Sequence, residues 1–577
     1  MSKKPPKKRK KKSQARKTAQ LTRKSHQLQN NHQDHFLKRP ALKKLAAIMQ
    51  AELNRSLRHI QSSDKPPLYY LSYLFRNIRY TKVQGRLGAI HEEASWINNS
   101  VYCDARVGSY AYDNVSQGGL DDSNENSEST EYIRFPQEIH ADAVRFQLWK
   151  LTDACYREAA ASFYRKKSTG LHFQEMHPEL PAMRQKKAIR DFHWLTPENI
   201  DTNVYKNLIR KAGRLITSRP FIKNSWFEFH ASQSQKVFVN SEGSEILQQS
   251  AVFELRVFLW TLSKQGEPVS YEMNFNTASQ TDLPDKKEFI RALRKAIATL
   301  EQKLAAPRLN SYSGPVLLSP QACGTFFHEV LGHRLEGSRL LSSDEGATFK
   351  DQLGRQILPD YIHVYDDPTM LSFEGQRISG HFQYDDEGSH ARRADLIIDG
   401  RLQCFLSTRS PIPGQADNNG HARNQLQERP ISRMANLVIE NRQPVTFDEM
   451  FQRFLAEIRR QKKEYGIWVQ QVQGGETGTN NYDFQAFKGE IMLASRVWAD
   501  GRQEMIRGVD FIGTPLAALE SLLCLGNTPV LENAWCGAES GLVPVSTIAP
   551  AMLLGNLELQ GQEQNRYTDY LVPVPYA

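Results

Sequence analysis

Two histidines five residues apart, with a glutamate directly after the first, set the strictest geometric condition in this 577-residue sequence. They lie in "GTFFHEVLGHRLEG", Gly324 to Gly337, as His328, Glu329 and His333. On a regular α-helix, positions five apart differ by about 140° after one full turn, so the two rings diverge. The familiar metalloprotease helix H-E-x-x-H avoids this by spacing its histidines four apart. A single π-type bulge adds one residue to a turn and brings the fifth residue back onto the face of the first. Gly332, just before His333, is a place where the backbone can depart from regular geometry. If the imidazoles are to act together, the helix must bulge or end there. The longer stretch "SGPVLLSPQACGTFFHEVLGH" reads as strand, glycine turn and helix, which seats the pair near a domain edge.

A hydrolytic zinc site needs three protein ligands and an open position for a water whose pKa falls to about 7 on the metal. His328 and His333 would supply two ligands. Glu329, beside a ligand, is the natural base to take the water's proton and deliver it to a leaving amine. A third ligand must come from elsewhere. Glu336, three residues past His333, is either a ligand or a second-layer partner that orients an imidazole. Cys536, in "ENAWCGAESG", precedes a glycine, where a loop can turn a thiolate inward. The plain alternative is a pair of surface or core histidines near a glutamate, and a cysteine that serves as a small buried hydrophobe.

The chain is too long for one ordinary core, and its 40% hydrophobic content suffices for more than one. Its patterning predicts an α+β architecture. Residues 41–307 read as a mixed α/β N-terminal domain. It contains helices striped by Val144, Leu148, Leu151, Cys155 and Ala159, and by Phe289, Leu293, Ile297, Leu300 and Leu304, the second stopping at Pro307. "KVFVNSEGSEI" and "AVFELRVFLWTL" read as paired strands, and the acidic "DDSNENSESTE" near 121–131 reads as an exposed loop. Residues 313–577 read as a mainly β C-terminal domain that carries the H-E-x-x-x-H helix. One further helix is expected there, with Thr446 and Glu449 as a capping box, a stripe of Phe447, Phe451, Phe454 and Ile458, and Gly466 as its end.

The net charge of +10 invites a nucleic-acid reading, but its location argues otherwise. The first 24 residues hold twelve Lys and Arg and no acid, so the other 553 residues carry a net −2. Residues 1–40 therefore read as a disordered basic tail, either a solubilising extension or a weak, salt-sensitive attachment to an anionic polymer. No apolar region follows these charges, so the tail is not a signal peptide. No run approaches the ~18 apolar residues of a membrane span. Six scattered cysteines without C-x-x-C pairs argue against a disulfide framework and for a cytoplasmic location.

Several segments together resemble the TldD/PmbA family of metallopeptidases. "GTFFHEVLGHRLEG" is similar to its signature, and "YDDEGSHARRADLIIDGRLQCFL" (384–406) to its D-D-E-G segment. "GHARNQLQERPISRMANLVIE", "GIWVQQVQGGETGTNNYDFQ" and "NAWCGAESGLVPVS" resemble its later segments, in the same order. The histidine motif marks the TldD-like, catalytic subunit type. The resemblance implies one Zn2+ per chain on His328, His333 and Cys536, with Glu329 acting through water on short or unfolded peptides. It also implies a dimer enclosing a cavity, either a homodimer or a heterodimer with a related subunit. Arg334 departs from the small or apolar residue expected after the second histidine.

Two other motifs keep two readings each. Asp385, Asp386 and Glu387 before Gly388 are either a second cation site or, as favoured here, a tight turn. Gly474 and Gly475 are either a bulge or a place where a substrate peptide can lie as an added strand. His381, His390 and His421 are candidate donors to a reaction oxyanion. The competing function is a non-catalytic assembly protein of the same fold that docks on an anionic partner through its tail. Such a protein would be free to lose Glu329 or a ligand, and none is lost.

Overall fold

The structure, a computed structural model, describes residues 36–60, 65–116, 119–120, 135–168, 179–342, 345, 348–415, 417–426, 428–480, 486–563, 566–568, 570 and 572–575. Most of the basic tail and the acidic loop at 121–131 lie outside these residues.

Long alternating sequences build the N-terminal sheet. Strands run in the order Ala89–Val107, Leu68–Arg86, Asn224–Asn240 and Glu245–Leu262. Both Pro268–Thr277 and the short, parallel Arg190–Phe192 pair with the last of these. In Asn224–Asn240 buried and half-buried residues alternate almost to the end, the signature of a strand with two different faces. Odd-numbered residues of that strand face four helices. Val237 and Val239 pack with helices Arg39–His59 and Ala141–Ser168 through Leu45, Met49, Val144 and Leu148. Phe227, Phe229 and Ala231 pack with helices Thr202–Thr217 and Lys286–Ala305 through Ile209, Ala212, Leu293 and Leu300.

The even face meets the C-terminal half. Leu74, Phe238 and Ile246 cluster on Tyr384, and the acidic motif follows at once. Asp385 Oδ1 accepts the backbone N–H of Glu387 (3.0 Å) and Ser389 (2.8 Å), and Gly388 has φ +75°. Asp386 then pairs with Lys236 at 2.7 Å and Arg76 at 3.4 Å, and Glu387 with Arg106 at 3.3 Å. The motif is thus a turn closed by Asp385, with Asp386 and Glu387 taken by arginines and a lysine of the sheet, a clasp between the halves. A Cβ on Gly388 would lie 2.3 Å from the Phe238 ring, so only glycine fits beneath it.

Two sheets form the C-terminal half. One runs Arg401–Leu402, Ala394–Ile398, Ile362–Asp366, Asn436–Asn441, Gly541–Ala549, Val530–Ala538. In the other, the pairing Tyr465–Thr477, Ser311–Leu318, Met552–Gly561, Val509–Gly513, Phe487–Trp498 returns to Tyr465–Thr477, so these strands close a ring. Phe326, Phe327 and Leu331 share one buried cluster with Val316 and Val469 of the ring and Val545 of the other sheet. Helix Phe447–Arg460 has half of the expected capping box: Thr446 accepts the Glu449 N–H at 3.2 Å, while the Glu449 carboxylate takes Arg453 at 2.7 Å. It ends at Arg460 rather than at Gly466. Lys462 takes φ +52°, and Gly466 already lies in a strand, where a Cβ would press the Phe454 ring at 2.5 Å. Among the described residues no helix is long and apolar enough to cross a membrane.

Candidate metal centre

Ser319 caps the helix Pro320–Phe327, its side chain accepting the Ala322 N–H at 3.2 Å, with Pro320 at the first position, where its missing N–H is harmless. At His328 the helix widens into a π-turn, His328–Gly332, and the His333 N–H donates to the carbonyl of His328, five residues back. That widening is what the five-residue spacing demands. Gly332 contributes differently from expectation. Its torsions are helical (φ −55°, ψ −56°), but a Cβ there would lie 2.1 Å from Met434 Sδ. Its value is the absent side chain, which lets the widened turn settle on Met434.

The result brings the rings together, with centroids 4.9 Å apart and planes at 90°. Cys536 arrives from the hairpin of Val530–Ala538 and Gly541–Ala549, and its Sγ lies 3.4 Å from His333 Nε2. One ligand atom from each of His328, His333 and Cys536 fits within 4.8 Å of the others, the one such trio of metal-ligating residue types among the described residues. Burial pushes the Cys536 thiol up, but the imidazoles of His333 and His328 and the guanidinium of Arg433 outweigh it and hold it well below the ordinary thiol value. The site therefore favours the thiolate, the form that binds metal. Arg433 donates to Cys536 Sγ at 3.2 Å and to its carbonyl at 2.7 Å, fixing the strand as well as the charge.

Glu336 lies against the far side of the His333 ring. Its Oε2 meets His333 Nδ1 at 3.1 Å, the nitrogen on the far side from Cys536, and receives Arg339 at 2.9 Å. Burial pushes its carboxyl up, but His333, Arg339 and Arg433 prevail and hold it at about 2. A carboxylate so placed fixes the imidazole tautomer with Nε2 as the lone-pair nitrogen. Arg339 also binds Glu539 at 3.0 Å and Glu345 at 2.9 Å, so this support reaches the loop after Cys536. Sequence reasoning missed Arg339, Arg433 and Glu539. Arg339 stands three residues after Glu336, a helical ion-pair spacing that was legible; the other two meet the site only through the fold.

Glu329 is buried against Gly475. A Cβ on Gly475 would sit 2.5 Å from Glu329 Cγ and 2.8 Å from its Oε1, whereas one on Gly474 would meet nothing within 4 Å. Burial raises the Glu329 carboxyl above its ordinary value despite the opposing pull of His328 and His333. Arg334 braces this contact, donating to the Glu329 carbonyl (2.6 Å), Thr477 Oγ1 (2.7 Å) and the Gly478 carbonyl (3.1 Å). The strand of Gly474 and Gly475 pairs with Glu490 and Gly489 on one side. On its other side ladder pairing covers only Ile467–Val469, after which the Gln321 side chain takes the N–H and C=O of Val472 at 2.9 and 3.0 Å.

The remaining histidines serve elsewhere. His421 is held between Asp366 (3.2 Å) and Asn419 (2.9 Å), His381 meets the Pro368 carbonyl at 2.9 Å, and His390 packs on Tyr384.

Fold and site together define an α+β protein with a buried two-histidine, one-cysteine centre beside a carboxylate. Residues 311–561 match the PmbA/TldA metallopeptidase C-terminal domain. It is similar to a "Metalloprotease" of Archaeoglobus fulgidus, 31% identical over 241 residues, 41% of this chain and 51% of that protein. It is also similar to the "Zinc metalloprotease TldD homolog" of Saccharolobus solfataricus, 23% identical over 361 residues, 62% of this chain and 75% of that protein. The chain thus spans about half the length of the Archaeoglobus relative. The crystal structure of TldE from Thermococcus kodakarensis shares the fold, with TM-score 0.59 and 13% identity over 89% of this chain and all of that one.

Proposed function

We propose that the protein is a zinc-dependent peptidase that hydrolyses short or unfolded peptides, with Glu329 as general base. The observation that carries this reading is the convergence of His328, His333 and Cys536 within 4.8 Å beside the buried Glu329. The donor set fits the metal: a thiolate and two imidazoles are ordinary Zn2+ ligands, and three protein ligands leave a position open. Bound there, one Zn2+ per chain supplies Lewis-acid activation of water and of the scissile carbonyl.

The chain's own groups do the rest. Glu336 keeps the His333 Nδ1–H directed away from the ligand side. Glu329 takes a proton from water onto its carboxylate and hands it to the departing amine, and its raised pKa brings it nearer to a group that can do both. The edge beyond Val472, at Gly474 and Gly475, offers main-chain groups to an extended peptide, which a folded domain cannot present. Zinc and metalloprotease names among the relatives support the same reading. A paired assembly, homodimeric or with a related subunit, around an enclosed site is part of the same proposal. The basic tail is placed outside the chemistry, as a weak contact to anionic polymers in a cytoplasmic setting.

The test is digestion of a peptide library by the wild type and Glu329→Gln, with a rigid folded protein and its denatured form as further substrates. The expected result is cleavage of peptides and of the denatured form only, and an activity lower by about 10²–10⁴-fold in Glu329→Gln with zinc retained. Equal cleavage of the folded form would refute the enclosed site, and undiminished turnover by the variant would refute the mechanism.

A further inference from the structure

The strand that delivers Cys536 carries a second carboxyl group that the proposed chemistry does not use. Val530–Ala538 pairs with Gly541–Ala549 residue for residue with no register break, so its side chains alternate strictly. Glu532, Ala534 and Cys536 therefore share one face. On the opposite face, Leu531 and Asn533 are engaged, and Trp535 beyond them is exposed. Leu531 joins Tyr365, Ile378 and Val438, and Asn533 accepts from the Ser379 N–H (3.0 Å) and the Ser546 hydroxyl (2.7 Å) and donates to the carbonyls of Asn276 and Arg377 (both 3.1 Å).

The face of Glu532 looks toward the metal helix. Ala534 packs against the core beneath that helix, and Thr547, the cross-strand neighbour of Glu532, reaches it: a Cβ on Gly324 would lie 2.6 Å from Thr547 Oγ1. Four strand positions put Glu532 about 13 Å from Cys536, the length of roughly four residues of extended peptide.

Apart from Glu329, the proposed base, the acids around the centre are answered. Glu336 and Glu539 pair with Arg339, and Asp366 accepts the Ala435 and Asn436 N–H groups. Glu532 is half-buried, and among the described residues its carboxylate has no hydrogen bond and no ion pair. Its surroundings alone push its carboxyl up to about 7, and no cation offsets them. An acid kept poorly hydrated and unpaired, on the strand face it shares with Cys536, is uncompensated until something from outside pairs with it.

We propose that Glu532 is a specificity residue, whose carboxylate receives a cationic group of the bound peptide about four residues from the scissile bond. A lysine or arginine side chain and the peptide's N-terminal ammonium share this chemistry. The inference rests on the peptidase reading for its substrate class, but its test is read in binding rather than in turnover.

The experiment is calorimetric titration of the full-length, zinc-loaded Glu329→Gln protein with N-acetylated alanine–serine octapeptides. Each carries a single lysine or norleucine, scanned through the positions, and an unacetylated peptide is added to the set. One lysine position, or the free N-terminus, is expected to tighten binding roughly tenfold over its neutral counterpart, the scale of a charged hydrogen bond. Adding Glu532→Gln is expected to abolish that gain while zinc content and melting temperature hold, because the amide keeps the shape and removes only an unpaired charge. A gain confined to the free N-terminus assigns the ammonium, and one at an internal lysine assigns the side chain. No cation preference in the Glu329→Gln protein, or a preference that survives Glu532→Gln, would overturn the proposal. A wild-type protein that shows the preference yet cleaves nothing would refute the peptidase reading and leave this one standing.

Discussion

Replacing Gly475 by alanine presses on the proposed base without touching a proposed ligand. The new Cβ would lie 2.5 Å from Glu329 Cγ, 2.8 Å from its Oε1 and 2.9 Å from its Cδ. Carbon contacts settle near 3.5–4.0 Å, so the side chain must withdraw by about 1 Å. Overpacking of this size costs roughly 1–3 kcal/mol, which a chain of this length tolerates. The catalytic effect is larger, because a displacement of about 1 Å at a reacting group is worth on the order of 10²-fold. Gly475→Ala is therefore expected to lower kcat/KM on an unfolded peptide by about 10²-fold while zinc content, by elemental mass spectrometry, stays at the wild-type level. Gly474→Ala is the internal control, since its Cβ meets nothing within 4 Å. If Gly475→Ala kept kcat/KM within about threefold of wild type with zinc in place, the contact would not position the base, and Glu329 would lose its assigned role.

Other groups yield separate expectations. Glu336→Gln takes the carboxylate from His333 Nδ1 and leaves Arg339 and Arg433 short of charge, so metal affinity should fall by about 10–100-fold, read by competition with a chromophoric chelator. His333, buried, is held well above its ordinary pKa by Cys536 and Glu336. Zinc must bind the neutral ring, so protons compete as pH falls through that raised value. Zinc release should therefore begin at higher pH than an ordinary imidazole would give, and equilibrium dialysis against pH checks it. Asp386→Asn leaves Lys236 and Arg76 without their buried partner and should cost about 3–5 kcal/mol in denaturant unfolding. Burial raises the Asp386 carboxyl, but Lys236 and Arg76 prevail and depress it below its ordinary value. Its contribution is thus present above the unfolded-state pKa and lost as pH falls through the folded one, and the variant's deficit should shrink in acid.

Much of this architecture was legible where local rules act alone. The stripe from Phe289 to Leu304 became the helix Lys286–Ala305, and Thr446 capped its helix, with Glu449 turned to Arg453 instead of completing the box. The five-residue histidine spacing required a widened turn, and His328–Gly332 supplies one. Legibility failed where a residue's reason is a distant neighbour. Gly466 reads as a helix stop, but it is small because Phe454 lies over it. Gly475 reads as a bulge or a substrate edge, and its closest neighbour is Glu329. The helix Thr202–Thr217 had both signals, an Asp201 cap and a stripe of Tyr205, Leu208, Ile209, Ala212 and Ile216, yet the polar stretch around it masked them. Arg433 and Glu539 belong to the site only because strand order brings their segments beside Cys536, and no sequence periodicity encodes that.

The central claim is that two imidazoles and one thiolate of this chain hold a zinc ion. X-ray absorption at the zinc edge, on the purified full-length protein and on Cys536→Ser, measures that set directly. The account predicts about one zinc per chain with two nitrogen scatterers near 2.0–2.1 Å and one sulfur near 2.3 Å, and loss of the sulfur shell with a sharp fall in zinc for the variant. A spectrum without sulfur, or a Cys536→Ser protein with full zinc and an unchanged spectrum, would contradict it.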